Sequence, residues 1–163
     1  MGVIKLYPQY KNLLLMPFCE FNASPFFLED THATEQMGAK LWEMLPKNGF
    51  VFLHGDLGAG KTTLVRGLLR AAGVTGAIKS PTYALIEEYE VSGYKIFHFD
   101  LYRLAEPEEL EWIGIDDYFN QDALCIIEWA EKGMGILPDA DIQITLTRQN
   151  DGRLIEFSNK NSQ

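Results

Sequence analysis

From Pro25 onward the apolar positions fall into two rhythms. Phe26-Phe27-Leu28 is an apolar run of strand length. Beyond it Ala33, Met37, Leu41 and Leu45 recur every fourth residue, the spacing of one helix face, behind Asp30 or Thr31 as a cap. Gly49 is expected to end that helix. Phe50-Val51-Phe52-Leu53 is unbroken apolar, as a strand covered on both faces requires. After a glycine-rich loop, Leu64, Val65, Leu68 and Leu69 mark the inner face of a helix from about Lys61 to Ala72, with Gly73 as its C-cap.

The second half mixes the two patterns. Tyr83 to Val91 and Tyr94 to Phe99 are β-rich and meet at Ser92-Gly93, a hairpin turn. Pro107 at a first helical position, with Glu108 and Glu109 in the first turn, predicts a short helix. Leu124-Cys125-Ile126-Ile127 is another fully buried strand, and Ile142 to Thr147 with Leu154 to Phe157 form a hairpin around Asn150-Asp151-Gly152. Buried strands, crossover helices and hairpins together predict an α/β layer structure with a mixed sheet. At 163 residues the chain is expected to hold one domain, over residues 24–163. Residues 1–23 have no clear period and read as an N-terminal extension, or as sequence upstream of a true start at Met16.

Charge narrows the function. Fourteen Lys and Arg stand against 23 Asp and Glu, a net charge of -9. That balance disfavours extensive direct binding of a nucleic-acid backbone. The two cysteines, Cys19 and Cys125, show no metal-ligand spacing and read as reduced thiols. No run approaches the ~18 apolar residues of a membrane span. Leu13 to Phe18 is too short for a signal core, contains Pro17 and lacks a small-residue cleavage site. A cytoplasmic protein with no membrane partner is expected.

The chemistry concentrates at Gly55-Asp56-Leu57-Gly58-Ala59-Gly60-Lys61-Thr62, which satisfies G-x-x-x-x-G-K-[ST] between a predicted buried strand and an amphipathic helix. The glycines let several backbone N–H groups converge on one anion, and the helix adds its positive end. Lys61 can reach the β- and γ-phosphates, and Thr62 can place its hydroxyl on Mg²⁺. The loop makes the fold class α/β of the P-loop NTPase type, with a mostly parallel mixed sheet flanked by helices and carrying antiparallel hairpins. No acidic residue lies between Asp56 and Glu87, whereas Lys61, Arg66, Arg70 and Lys79 do. Arg66 and Arg70 read as the solvated face of the helix.

A P-loop enzyme also needs a carboxylate at a neighbouring strand end for the metal and a group to orient the nucleophile. Ile96-Phe97-His98-Phe99 leads to Asp100, and the strand at Leu124 leads to Glu128. Spacing alone does not divide the two roles between them. Ser80-Pro81-Thr82-Tyr83 reads as an ordinary turn opening a strand, though its hydroxyls suit a loop that senses phosphate. His32, His54 and His98 lack ligand spacing. His98 shares a strand face with Asp100, and a structural role is expected for it. The guanine-selecting N-K-x-D string is missing, which favours ATP over GTP.

These motifs, with Thr63, His98 to Leu104 and Ile127-Glu128-Trp129 in this order, resemble the bacterial TsaE (YjeE) ATPases of tRNA threonylcarbamoyladenosine biosynthesis. The resemblance spans about Phe26 to Asp141. It implies nucleotide contacts along Asp56 to Thr63 and at Trp129, and roles for Lys61 in phosphate binding and Thr62 in Mg²⁺ ligation. It implies a switch-like loop at Thr82, a part in hydrolysis for Asp100, and a Walker B-like metal role for Glu128. It also implies the partners TsaD and TsaB, which place threonylcarbamoyl on N6 of adenine 37 in tRNAs reading ANN codons. tRNA would then be met only through the complex, and ATP hydrolysis would reset that complex between turnovers. The acidic run over residues 100–141 suits a basic partner or serves solubility.

Two other functions share the loop. A small-molecule kinase would need an acceptor pocket and usually an arginine-rich lid. After the loop helix only Lys79, Lys95, Arg103, Lys132, Arg148, Arg153 and Lys160 occur, widely spread along the chain. A nucleotide-dependent assembly module would need ATP occupancy but not hydrolysis.

Overall fold

A computed structural model describes residues 25–159. The expectations for residues 1–23, Met16 and Cys19 lie outside the described residues. Strand β1 (Phe26–Leu28) is followed by helix α1 (Thr31–Met44), strand β2 (Gly49–His54) and helix α2 (Lys61–Ala72). Strands β3 (Ile86–Val91) and β4 (Tyr94–Asp100) come next, then two short helices, α3 (Glu109–Trp112) and α4 (Ile115–Phe119). Strand β5 (Leu124–Glu128), a 3₁₀ turn (Ala130–Gly133) and strands β6 (Ile142–Gln149) and β7 (Gly152–Asn159) complete the order.

The strands form one seven-stranded sheet in the order β1-β7-β6-β2-β5-β4-β3. Its centre, β6-β2-β5-β4, is parallel, and antiparallel β3 and the β7-β1 pair flank it. The continuous apolar runs explain the centre, because alternate residues feed opposite faces. Val51 and Leu53 of β2 and Leu124 and Ile126 of β5 pack with α1 and α2. Phe52, Cys125 and Ile127 pack on the other face with Phe97, Phe99 and the short helices. On that second face Tyr118 meets Phe97 edge-on, and Phe119 meets Phe50 in the same way, with centroids 5.2 and 5.1 Å apart. Cys125 is a free buried thiol whose pKa burial pushes up to about 12.

Three expected boundaries move. Asp30 caps α1 by accepting from the Ala33 N–H at 2.8 Å, but the helix stops at Met44, not Gly49. Leu45 precedes Pro46, which disfavours the helical region, and Leu45 is extended with ψ 143°. Gly49 instead opens β2. The strand expected from Tyr83 begins at Ile86, because residues 81–84 form a turn closed by Leu85 N–H on the Pro81 carbonyl at 2.7 Å. Pro107 precedes the first turn of α3 instead of occupying it, and the Glu109 carboxylate accepts the Ala105 and Glu106 N–H groups at 2.7 and 3.0 Å. The two hairpins form at Ser92-Gly93 and Asn150-Asp151 as the turn residues require.

Candidate active site

The glycine-rich loop leaves the carboxyl end of β2 and enters α2 at Lys61. Gly58 and Gly60 hold φ of 80° and 107°, where a side chain would be strained, so the motif's glycines carry the curl of the loop. Ala59 N–H closes a turn on the Asp56 carbonyl at 3.1 Å, and Leu64 N–H makes the first helical bond to Gly60. The first N–H groups of α2 therefore have no helical acceptor and face the loop's concavity.

The register sets the carboxylates. Asp100 lies beside Glu128 in the parallel β4-β5 pair, and Leu53, just before the loop, lies beside Glu128 on the other side. Parity with Ile96 and Ile126 turns both acids to the α2 face. All four polar groups at this strand edge are buried: Lys61 is 6% exposed, Asp100 5%, Glu128 2% and His98 1%.

Lys61 Nζ donates to the Gly55 carbonyl at 2.5 Å, stands 4.0 Å from Glu128 Oε1, and lies 4.2 Å from the centre of the Trp129 ring. Burial lowers its pKa from the usual lysine value, while Glu128, Asp100, Glu131 and Asp56 push it back up. Trp129 itself adopts a left-handed backbone with φ 58°, and Tyr102 packs on its ring at 5.0 Å. Asp100 accepts from Thr82 Oγ1 at 2.9 Å through one oxygen and from Tyr102 N–H at 3.0 Å through the other. Ser80 Oγ continues that chain, 2.8 Å from Thr82 Oγ1. The segment expected to be an ordinary turn is thus tied to the site. Glu128 Oε2 meets His98 Nε2 at 2.6 Å.

Lys61, Ser80, Thr82, Asp100, Glu128 and Trp129 border one cleft of about 330 Å³, and His98 and Tyr102 stand behind its lining. Leu57, Gly58, Gly60, Lys61, Thr62 and Thr63 line it from the loop, with Thr82, Asp100, Glu128 and Trp129 opposite. Asp56 and Ala59 do not: the first is exposed and the second buried. Arg66 pairs with Glu35 at 3.5 Å and Arg70 bonds the Val74 carbonyl at 3.1 Å, so both stay on the helix's outer side.

The structure also adds residues. Arg153 lines the cleft, with a guanidinium nitrogen 2.5 Å from where a Cβ on Gly60 would stand, and Arg148 lies near Gly58 in the same way at 3.8 Å. Arg148 and Arg153 are cross-strand partners of the β6-β7 hairpin. The basic residues after the loop helix therefore converge in part, contrary to their spread along the chain. The hairpin signal could have paired these two; nothing in the sequence pattern placed β6 beside β2. Thr31, at the start of α1, lines the cleft as well.

Among the described residues no three acidic, histidine or cysteine side chains form a metal cage. Two carboxylates and a threonine hydroxyl beside a phosphate cradle do suit Mg²⁺, which keeps waters and shares its shell with substrate phosphates. Glu128 Oε1 is the carboxylate oxygen with no short hydrogen bond to a described residue.

A buried parallel strand, a glycine-rich loop, a helix start and acids on the neighbouring strand ends define a P-loop-type α/β protein. The family described as "Threonylcarbamoyl adenosine biosynthesis protein TsaE" matches residues 28–155. A Haemophilus influenzae relative, named tRNA threonylcarbamoyladenosine biosynthesis protein TsaE, is 53% identical over 136 residues, 80% of this chain and 86% of its own. A Bacillus subtilis relative of the same name is 40% identical over 114 residues, 69% and 71% of the two chains. The crystal structure of Bacillus subtilis YdiB has a TM-score of 0.70 at 27% identity, covering 83% of this chain and 84% of its own. The chain belongs to the TsaE family, as its motifs imply. No described helix is long and apolar enough to cross a membrane.

Proposed function

We propose that this protein is a Mg²⁺-dependent ATPase of tRNA threonylcarbamoyladenosine biosynthesis, a cytoplasmic switch acting on the TsaD and TsaB partners and meeting tRNA through them. The observation that carries this reading is the shared cleft, in which Lys61 and Thr62 of the loop face Asp100 and Glu128 on adjacent strand ends.

The loop's N–H groups and the end of α2 cradle the β- and γ-phosphates. Lys61 exchanges the Gly55 carbonyl for phosphate oxygens, and its charge offsets what develops on them. Arg153, over Gly60, adds a second cation to the nucleotide's phosphates. Thr62 and Glu128 would hold Mg²⁺, which would supply charge neutralisation for the phosphates. Asp100, with both oxygens engaged, fixes Thr82 and orients the attacking water. Trp129 supports Lys61 from below. Most acidic side chains of residues 100–141 are exposed, and they suit a basic partner surface.

Phosphate release from ATP by the chain with TsaD and TsaB tests the reading. Lys61→Ala is expected to bring turnover to background, and undiminished hydrolysis would refute the assignment. Phosphorylated small-molecule product would favour the kinase. Many modification rounds with a non-hydrolysable analogue would favour the assembly module.

A further inference from the structure

We infer that His98 is a positioning residue that aims Glu128 at the cleft; the inference deepens the proposed ATPase reading and rests on it. His98 and Glu128 sit on adjacent parallel strands, with His98 opposite Ile126 and Glu128 opposite Asp100, so the imidazole reaches the carboxylate diagonally. Both side chains are almost fully buried, and the 2.6 Å separation of Nε2 and Oε2 is at the short end for a bond to a carboxylate.

The other ring nitrogen supplies the second argument. His98 Nδ1 is buried with no hydrogen-bond partner among the described residues. A histidine kept for structure normally satisfies both nitrogens. This ring leaves one bare and commits the other to an acid at the cleft. A neutral ring with its proton on Nε2 satisfies that geometry, since it donates to Glu128 and leaves only a lone pair unmatched. Packing does not demand the histidine either. Ile96, two residues earlier on the same face, is a core aliphatic, and a leucine at 98 would continue the row.

The consequence falls on Glu128. A glutamate side chain has several rotatable bonds and much rotamer freedom to lose. With Oε2 held by His98, Oε1 is left on the Lys61 side of the cleft, 4.0 Å from Nζ. Partners that orient a ligating carboxylate are commonly worth about 10–100-fold in metal affinity or activity.

The test compares His98→Leu, which removes the donor, with His98→Gln, whose amide nitrogen can replace Nε2. His98→Leu is expected to weaken the Mg²⁺-dependent part of ADP affinity by about tenfold, read by calorimetry with and without chelator. ADP affinity in chelator should stay within about twofold, and His98→Gln should recover most of the loss. Nitrogen NMR of the wild-type ring should show Nε2 protonated and Nδ1 bare. Equal Mg²⁺ dependence in wild type and His98→Leu would overturn the inference, as would His98→Gln failing where His98→Leu fails, or a ring with no proton on Nε2. Absent ATP hydrolysis with an intact Mg²⁺ effect would instead sink the ATPase reading and leave the positioning role standing.

Discussion

Trp129 concentrates the residue-scale physics of the site. It holds a left-handed backbone, φ 58°, which costs a residue with a Cβ roughly 1–2 kcal/mol. Strain of this kind gathers where surrounding structure enforces it. Here the turn from β5 into the 3₁₀ segment puts the indole under the Lys61 ammonium and beside Tyr102. Replacing Trp129 by alanine or by glycine deletes the same ring contacts, but only glycine releases the backbone. At most positions glycine is the less stable of the two by about 0.4–1 kcal/mol through unfolded-chain entropy. At 129 the order should invert, with Trp129→Gly more stable than Trp129→Ala by roughly 0.5–1 kcal/mol in urea unfolding. An alanine variant equal to or better than glycine would contradict the left-handed conformation. Trp129 entered through the family resemblance, whereas Lys61, Thr62, Asp100 and Glu128 were visible in the sequence because each sits in the glycine-rich motif or ends an apolar run. Arg153 and the His98 bond were not, since each depends on which strands lie side by side.

At the scale of elements, the site's geometry depends on how closely α1 approaches α2. The two helices meet where Gly38 faces the Leu64 carbonyl and Gly67 faces the Glu35 carbonyl, and a Cβ at either glycine would overlap that backbone. Glycine inside a helix ordinarily costs about 0.5–1 kcal/mol against alanine. Its presence in the middle of α2 therefore reflects contact, not propensity. Gly67→Ala should gain helix propensity yet lose about 1–3 kcal/mol of stability, because α1 must shift outward to admit one methyl. Chemical denaturation checks the sign, and a stabilised variant would mean the helices are further apart than described. Such contacts explain what pattern reading can and cannot reach. The four-residue rhythm of α1 and the unbroken runs of β2 and β5 were legible because burial on one or two faces writes itself into local order. The insertion of β2 between β5 and β6, and the antiparallel pairing of β1 with β7, leave no local trace. Gly49 misled because glycine ends helices and opens strands equally well, while Pro46 had already stopped the helix.

Across the whole molecule the cleft is bordered by segments far apart in the chain. The loop after β2, the Ser80–Thr82 segment, the ends of β4 and β5, and Arg153 of β7 all contribute. A nucleotide seated there contacts residues that come together only in the folded state, so it stabilises by mass action. At a hundred times its dissociation constant the gain is about 2.7 kcal/mol. For a chain of this length that corresponds to a midpoint rise of about 5–10 °C. Scanning calorimetry should resolve this rise into parts belonging to different sides of the cleft. Lys61→Ala should abolish most of it, with ATP and with ADP. Arg153→Ala should shrink it with either nucleotide, and in chelator too, because a guanidinium over Gly60 meets the phosphates without the metal. Glu128→Gln should remove only the increment that Mg²⁺ adds, since in the proposed reading its free oxygen would serve the metal while the loop N–H groups and Lys61 hold the phosphates without it. If Arg153→Ala instead mimics Glu128→Gln, the arginine acts through the metal pole, and the division of labour drawn across the cleft is wrong.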